Sequence, residues 1–205
     1  MNTFTKRGEI AGPAGLLSVA VDTTTDVPSR GLAVVCHPHP LQGGTMDNKV
    51  VTTIARALTQ RGWRTVRFNY RGVGQSAGTW DEGRGEVDDA LAVIAAHRAA
   101  GEPLVLGGFS FGGYIAASAA AKLPEGEQAQ RLVLVAPSTV KHHAPPVSAD
   151  TLLIHGEADD VVPLSATMDW ARPQALPVVV VPGAGHFFHG QLMLLKALVL
   201  RNFAE

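Results

Sequence analysis

The stretch Leu104–Gly113, reading L-V-L-G-G-F-S-F-G-G, constrains what this chain can fold into more than any other. Leu104–Leu106 is a short apolar run suited to a buried strand, while Tyr114, Ile115 and the alanines behind them read as a helix. Between the two, Gly108-Phe109-Ser110-Phe111-Gly112 sets a serine symmetrically between glycines. A strand-to-helix turn that sharp brings the residues on either side of the serine so close that a Cβ would collide, and glycine has none. This is the setting of a nucleophile elbow, which exposes the serine hydroxyl at the end of the strand. The alternative, a Gly-rich turn with Ser110 as an N-cap, leaves the symmetric glycines unexplained.

The 205 residues suit one domain, 1–205, with a single sizeable core. With 46% hydrophobic and 17% charged residues the chain reads as folded and globular. A formal net charge of -1 and the lack of a basic stripe argue against nucleic acid as the principal partner. The single cysteine, Cys36, cannot form an internal disulfide, which fits a reducing compartment. The amino end lacks the apolar run of a signal peptide. Leu192–Leu200 carries Lys196 and is too short to span a bilayer. The expectation is a cytoplasmic protein with no membrane partner. Its oligomeric state stays open.

Apolar runs alternate with helical patterns. Leu16–Val21, Leu32–Cys36, Trp63–Phe68, Leu104–Leu106, Leu132–Val135, Leu152–Ile154 and Val178–Val181 read as strands. Helices are expected over Lys49–Arg61, capped by Gly62, over Glu86–Ala100, behind Ser110, around Thr167–Ala171 and over Gln191–Phe203. The alternation implies an α/β fold with a mostly parallel sheet covered on both faces. The alanine-rich helix after Ser110 is small on nearly every side and is expected to be deeply buried. Pro137–Asp150 reads as a flexible excursion, with His142 and His143 solvated.

A serine hydroxyl needs a base, normally a histidine oriented by a carboxylate. In an open parallel sheet such groups gather beyond the carboxyl ends of the strands. After Thr151–His155 the chain offers Glu157, Asp159 and Asp160, and after Val178–Val181 it offers His186 and His189. His155 reads as a satisfied structural histidine. Cys36-His37-Pro38-His39-Pro40 contains an H-x-H pair without a third ligand at zinc spacing, and Cys36 ends a buried strand as a small packing residue. No cofactor and no metal are expected. Gly72-Val73-Gly74 fits neither phosphate-loop pattern and reads as a tight turn.

The motifs C-H-P-H-P-L-Q-G-G-T-M-D-N-K (36–49), N-Y-R-G-V-G-Q-S (69–76), G-F-S-F-G (108–112), H-G-E-A-D-D-V-V-P (155–163) and G-A-G-H-F-F (183–188) occur in this order. Over essentially its whole length the chain resembles the α/β-hydrolase superfamily, in a small branch without a lid domain related to dienelactone hydrolase and bacterial esterase-like proteins. Dienelactone hydrolase itself uses a cysteine nucleophile where this chain has Ser110. The resemblance implies an α/β-hydrolase fold and a serine hydrolase of carboxylesterase or thioesterase type, acting on a small-molecule acyl substrate. It assigns Ser110, His186 and Asp159 as catalytic residues, with Asp160 as runner-up for the acid and His189 as a cap or surface residue. An acyltransferase on the same residues and a non-catalytic binding protein of the same fold are the rival readings.

The oxyanion hole implied by the resemblance takes one backbone N–H from Phe111. The other comes from the loop after Cys36, where Pro38 and Pro40 have no N–H to give. His39 matches the donor position, with Leu41 second. Between the strand ending near Val135 and the one starting near Thr151, where lids of this fold enter, only Ala136–Asp150 remain. That is too little for a helical cap, so an open, shallow site for small or short-chain acyl groups is expected.

Overall fold

Strands without a wet face need cover on both sides, and the way successive side chains alternate along β3 shows how it is supplied. A computed structural model describes residues 3–204. In β3 (Gly31–Cys36), Leu32, Val34 and Cys36 join one apolar cluster, and Ala33 and Val35 join a second on the opposite face. The first cluster is closed by α2 (Arg84–His97) and α3 (Phe111–Lys122), the second by α1 (Lys49–Gln60) and α5 (Leu192–Asn202).

The remaining strands are β1 (Thr3–Gly12), β2 (Gly15–Thr24), β4 (Trp63–Phe68), β5 (Leu104–Phe109), β6 (Arg131–Val135), β7 (Leu152–Gly156) and β8 (Val178–Val181), and α4 (Leu164–Ala171) lies between β7 and β8. The sheet has eight strands in the order β1-β2-β4-β3-β5-β6-β7-β8. Pairing is parallel from β4 through β8 across the sheet and antiparallel at β1–β2 and β2–β4. This is the α/β-hydrolase fold. Residues 136–151, between β6 and β7, form turns without helix or strand, so no lid covers the carboxyl edge. Among the described residues no helix is long and apolar enough to cross a membrane.

Helix ends follow local chemistry. Asn48 caps α1 by accepting from the amides of Val50 and Val51, and Gly62 follows the helix with a φ of 87°. The helix expected from Glu86 begins two residues earlier, because the buried Glu86 carboxylate reaches back to accept from the amides of Gly83 and Asp81. It ends at His97 rather than Ala100, since Arg98 is extended. β1 has no counterpart in the sequence reading: its Thr, Lys, Arg and Glu side chains are exposed, so no hydrophobic period marks it. In α3, Ala116, Ala117 and Ala119 are fully buried, whereas Ala120 is only partly buried and Ala121 is exposed.

Candidate active site

Ser110 sits between β5 and α3 with a φ of 57° and ψ of -120°, a conformation few non-glycine residues adopt. The turn is held by the Ser110 amide donating to the Val135 carbonyl at 2.9 Å and the Gly113 amide donating to the Ser110 carbonyl at 2.9 Å. A Cβ on Gly108 would overlap the Gly112 carbonyl, and a Cβ on Gly112 would overlap the Cys36 carbonyl. The two glycines are therefore steric requirements of the elbow and of its contact with β3.

Three loops at the carboxyl ends of β5, β7 and β8 bring together Ser110, Asp159 and His186, which are 8%, 8% and 4% exposed. Ser110 Oγ lies 3.0 Å from His186 Nε2, and His186 Nδ1 lies 2.7 Å from Asp159 Oδ2. A carboxylate only accepts, so Nδ1 carries the proton and Nε2 presents its lone pair to the serine hydroxyl. Phe109 and Phe187 flank the imidazole at ring distances of 4.8 and 5.0 Å.

The other oxygen of Asp159, Oδ1, accepts from the amides of Val161 and Val162 at 2.9 and 2.8 Å. Burial pushes this carboxyl up. The nearby His155 imidazole and the hydrogen bonds from His186 and the Val162 amide outweigh it and hold the group well below the usual carboxylate range. Asp160 is exposed. Glu157 accepts from the Gly183 amide at 2.9 Å and so ties the β7 loop to the β8 loop. His189 is exposed, ahead of α5.

His37 is buried, and its surroundings fix its proton. Nδ1 donates to the Pro38 carbonyl at 2.7 Å, and Nε2 accepts from the Tyr70 amide at 3.2 Å. Burial, opposed only by the Pro38 bond, pushes its pKa down to about 3. Burial also pushes the Cys36 thiol up to about 12, against a hydrogen bond to Tyr70, which makes it a poor thiolate. His39 follows with a φ of -53° and ψ of 122°, and its carbonyl accepts from the amides of Gln42 and Gly44. A Cβ on Gly44 would strike the Pro38 carbonyl, so the loop is folded tightly on itself.

The His39 ring belongs to an aromatic cluster that sequence reasoning did not find. It lies 4.7 Å from Trp80 and 5.2 Å from Phe111, the residue after the serine. His142 stacks on Tyr114 at 5.1 Å and its Nδ1 lies 3.0 Å from Ser138 Oγ. The expectation that His142 is solvated is therefore wrong: its ring is partly buried because Tyr114 on α3 offers it a face, while His143 is exposed. An open groove of about 510 Å³ runs beside this cluster, between Pro40–Leu41 on one side and Arg71 and Trp80 on the other. Among the described residues no group of three or more His, Cys, Asp or Glu side chains is placed to hold a metal ion.

The comparisons with known proteins agree with this architecture. The profile of the family described as serine aminopeptidase, S33, matches residues 28–148. A solved structure of an α/β serine hydrolase homologue from Coxiella burnetii is 40% identical, with a TM-score of 0.88 covering 97% of this chain and 97% of that one. An α/β serine hydrolase without a lid from Xanthomonas campestris is 39% identical, with a TM-score of 0.87 covering 98% and 94%. An uncharacterized protein of Rickettsia prowazekii is 31% identical over 86% of this chain and 79% of its own length.

Proposed function

The chain belongs to the α/β serine hydrolases, and we propose that it cleaves a small or short-chain carboxylic ester or thioester through an acyl-enzyme on Ser110. The observation that carries this reading is the hydrogen-bonded line Ser110–His186–Asp159, formed by three separate loops at one edge of the sheet.

In the proposed cycle Ser110 Oγ attacks the acyl carbon while its proton passes to His186 Nε2. Asp159 stabilises the imidazolium through the Nδ1–H bond and stays ionised. Negative charge develops on the former carbonyl oxygen, and the backbone N–H groups of Phe111 and His39 receive it. Phe111 is the first residue of α3, where a helix leaves its N–H without an internal partner. Collapse of the intermediate breaks the bond to the leaving alkoxide or thiolate, which takes the proton from His186. Water then repeats the sequence: His186 removes its proton, hydroxide adds to the acyl carbon, and Ser110 departs with the proton returned.

The lack of a lid supports small substrates bound without interfacial activation. A series of p-nitrophenyl esters and acyl-coenzyme A thioesters of graded chain length tests this. Turnover is expected to peak at short acyl chains and to vary smoothly through the concentration at which substrate aggregates. A preference for long-chain triglyceride with a rate jump at an interface contradicts it.

A further inference from the structure

His155, on β7, is four residues before Asp159, and both side chains are fully buried. Its Nε2 lies 2.8 Å from the Val162 carbonyl and 3.4 Å from Asp159 Oδ2. Both neighbours only accept, so Nε2 carries a proton. Nδ1 is buried and has no partner among the described residues. A proton there would be a buried donor without an acceptor, which is costly, so these surroundings favour the tautomer with its proton on Nε2. His186 is the opposite tautomer, with its proton on Nδ1, and the two imidazoles approach the same carboxylate oxygen, His186 by a hydrogen bond of 2.7 Å and His155 at 3.4 Å while its N–H is given to Val162.

The contacts close a ring. Val162 gives its amide to Asp159 Oδ1 and its carbonyl to His155. His155 thus holds, by that carbonyl, the residue whose amide holds the carboxylate, and it adds a long electrostatic contact of its own to Oδ2. From this geometry we propose that His155 is a positioning residue for the Ser110–His186–Asp159 chemistry, acting through Asp159 and Val162 rather than on substrate. The proposal rests on the hydrolase reading above. Its function would be to keep Asp159 ionised and fixed in the one rotamer that meets His186.

The test is a mutant cycle on the full chain, with kcat and KM measured on p-nitrophenyl acetate. His155→Leu removes the donor with little change in volume. It is expected to lower kcat by about 10-fold or more, toward the roughly 10²-fold that a misplacement of 1 Å can cost, with KM unchanged. In an Asp159→Asn background the same substitution is expected to cost less than about 2-fold, because residues that act through one another are not additive. Equal losses in both backgrounds, or no loss in either, overturn the proposal.

His155→Gln against His155→Asn decides the matter even if the leucine variant does not fold. Gln carries its N–H about as far out as Nε2 and is expected to retain most activity. Asn is too short and is expected to lose it, and the reverse order overturns the proposal. Wild-type protein that is labelled at Ser110 by a fluorophosphonate, while His155→Leu behaves as wild type, refutes the role of His155 alone. Wild-type protein that is not labelled refutes the hydrolase reading on which it rests.

Discussion

Asp159 and Asp160 are chain neighbours with opposite fates: Asp159 is buried against His186 at 2.7 Å, and Asp160 is exposed to solvent. The separation comes from the turn after β7, in which the amides of Val161 and Val162 fold back onto Asp159 Oδ1. Asp159→Asn should leave the fold intact and favour the wrong imidazole tautomer, lowering kcat by about 10⁴-fold. Asp160→Asn should stay near wild type. Steady-state kinetics on a p-nitrophenyl ester compares them, and the reverse ranking moves the role to Asp160.

The oxyanion proposal predicts a contrast at one position. The φ of His39, -53°, is one that proline adopts without strain. His39→Pro and His39→Ala both lose the ring and its contacts with Trp80 and Phe111. Only the proline variant loses the backbone N–H. It should therefore fall about 10²–10³-fold in kcat below the alanine variant, the loss typical of one oxyanion donor. Equal kcat values would remove His39 from the oxyanion hole and direct attention to the Leu41 amide.

Acid should weaken the fold through its buried and half-buried histidines. Burial holds His37 down to about 3, against an ordinary value of 6.5. Between those values the unfolded chain binds a proton that the folded one does not, so stability rises with pH across the window and is lost as pH falls from 6.5 toward 3. His39, His97 and His142, also held below 6.5 first of all by burial, act in the same direction. Urea unfolding between pH 4 and 7 should show this slope, and His37→Phe should be less stable at pH 7 but flatter. A pH-independent stability, or an unchanged slope in the variant, contradicts it.

Much of this molecule was legible in its sequence where one local rule decides the outcome. β4 and β8 have the bounds that their apolar runs suggest, and the glycines of the elbow are where sterics require them. β1 escaped because a solvent-exposed edge strand is held by its backbone ladder to β2, which leaves no hydrophobic period to read. The aromatic cluster sets Phe111 and Tyr114, an i,i+3 pair on α3, against His39, Trp80 and His142 from three separate loops, and no spacing rule brings those loops to the helix. His155 reads from the sequence as a satisfied structural histidine, but only its Nε2 is satisfied: Nδ1 is buried without a partner among the described residues. Its approach to Asp159 depends on how the 157–162 turn closes, which only the tertiary hydrogen bonds decide.

The central claim is that Ser110 is an activated nucleophile, and intact-mass spectrometry after treatment with a fluorophosphonate tests it most directly. The wild-type protein should gain one phosphonyl group, located at Ser110 by peptide mapping, and Ser110→Ala should gain none while losing on the order of 10⁴-fold or more in turnover. Folded wild-type protein that stays unlabelled, or labelling that persists in Ser110→Ala, contradicts the account.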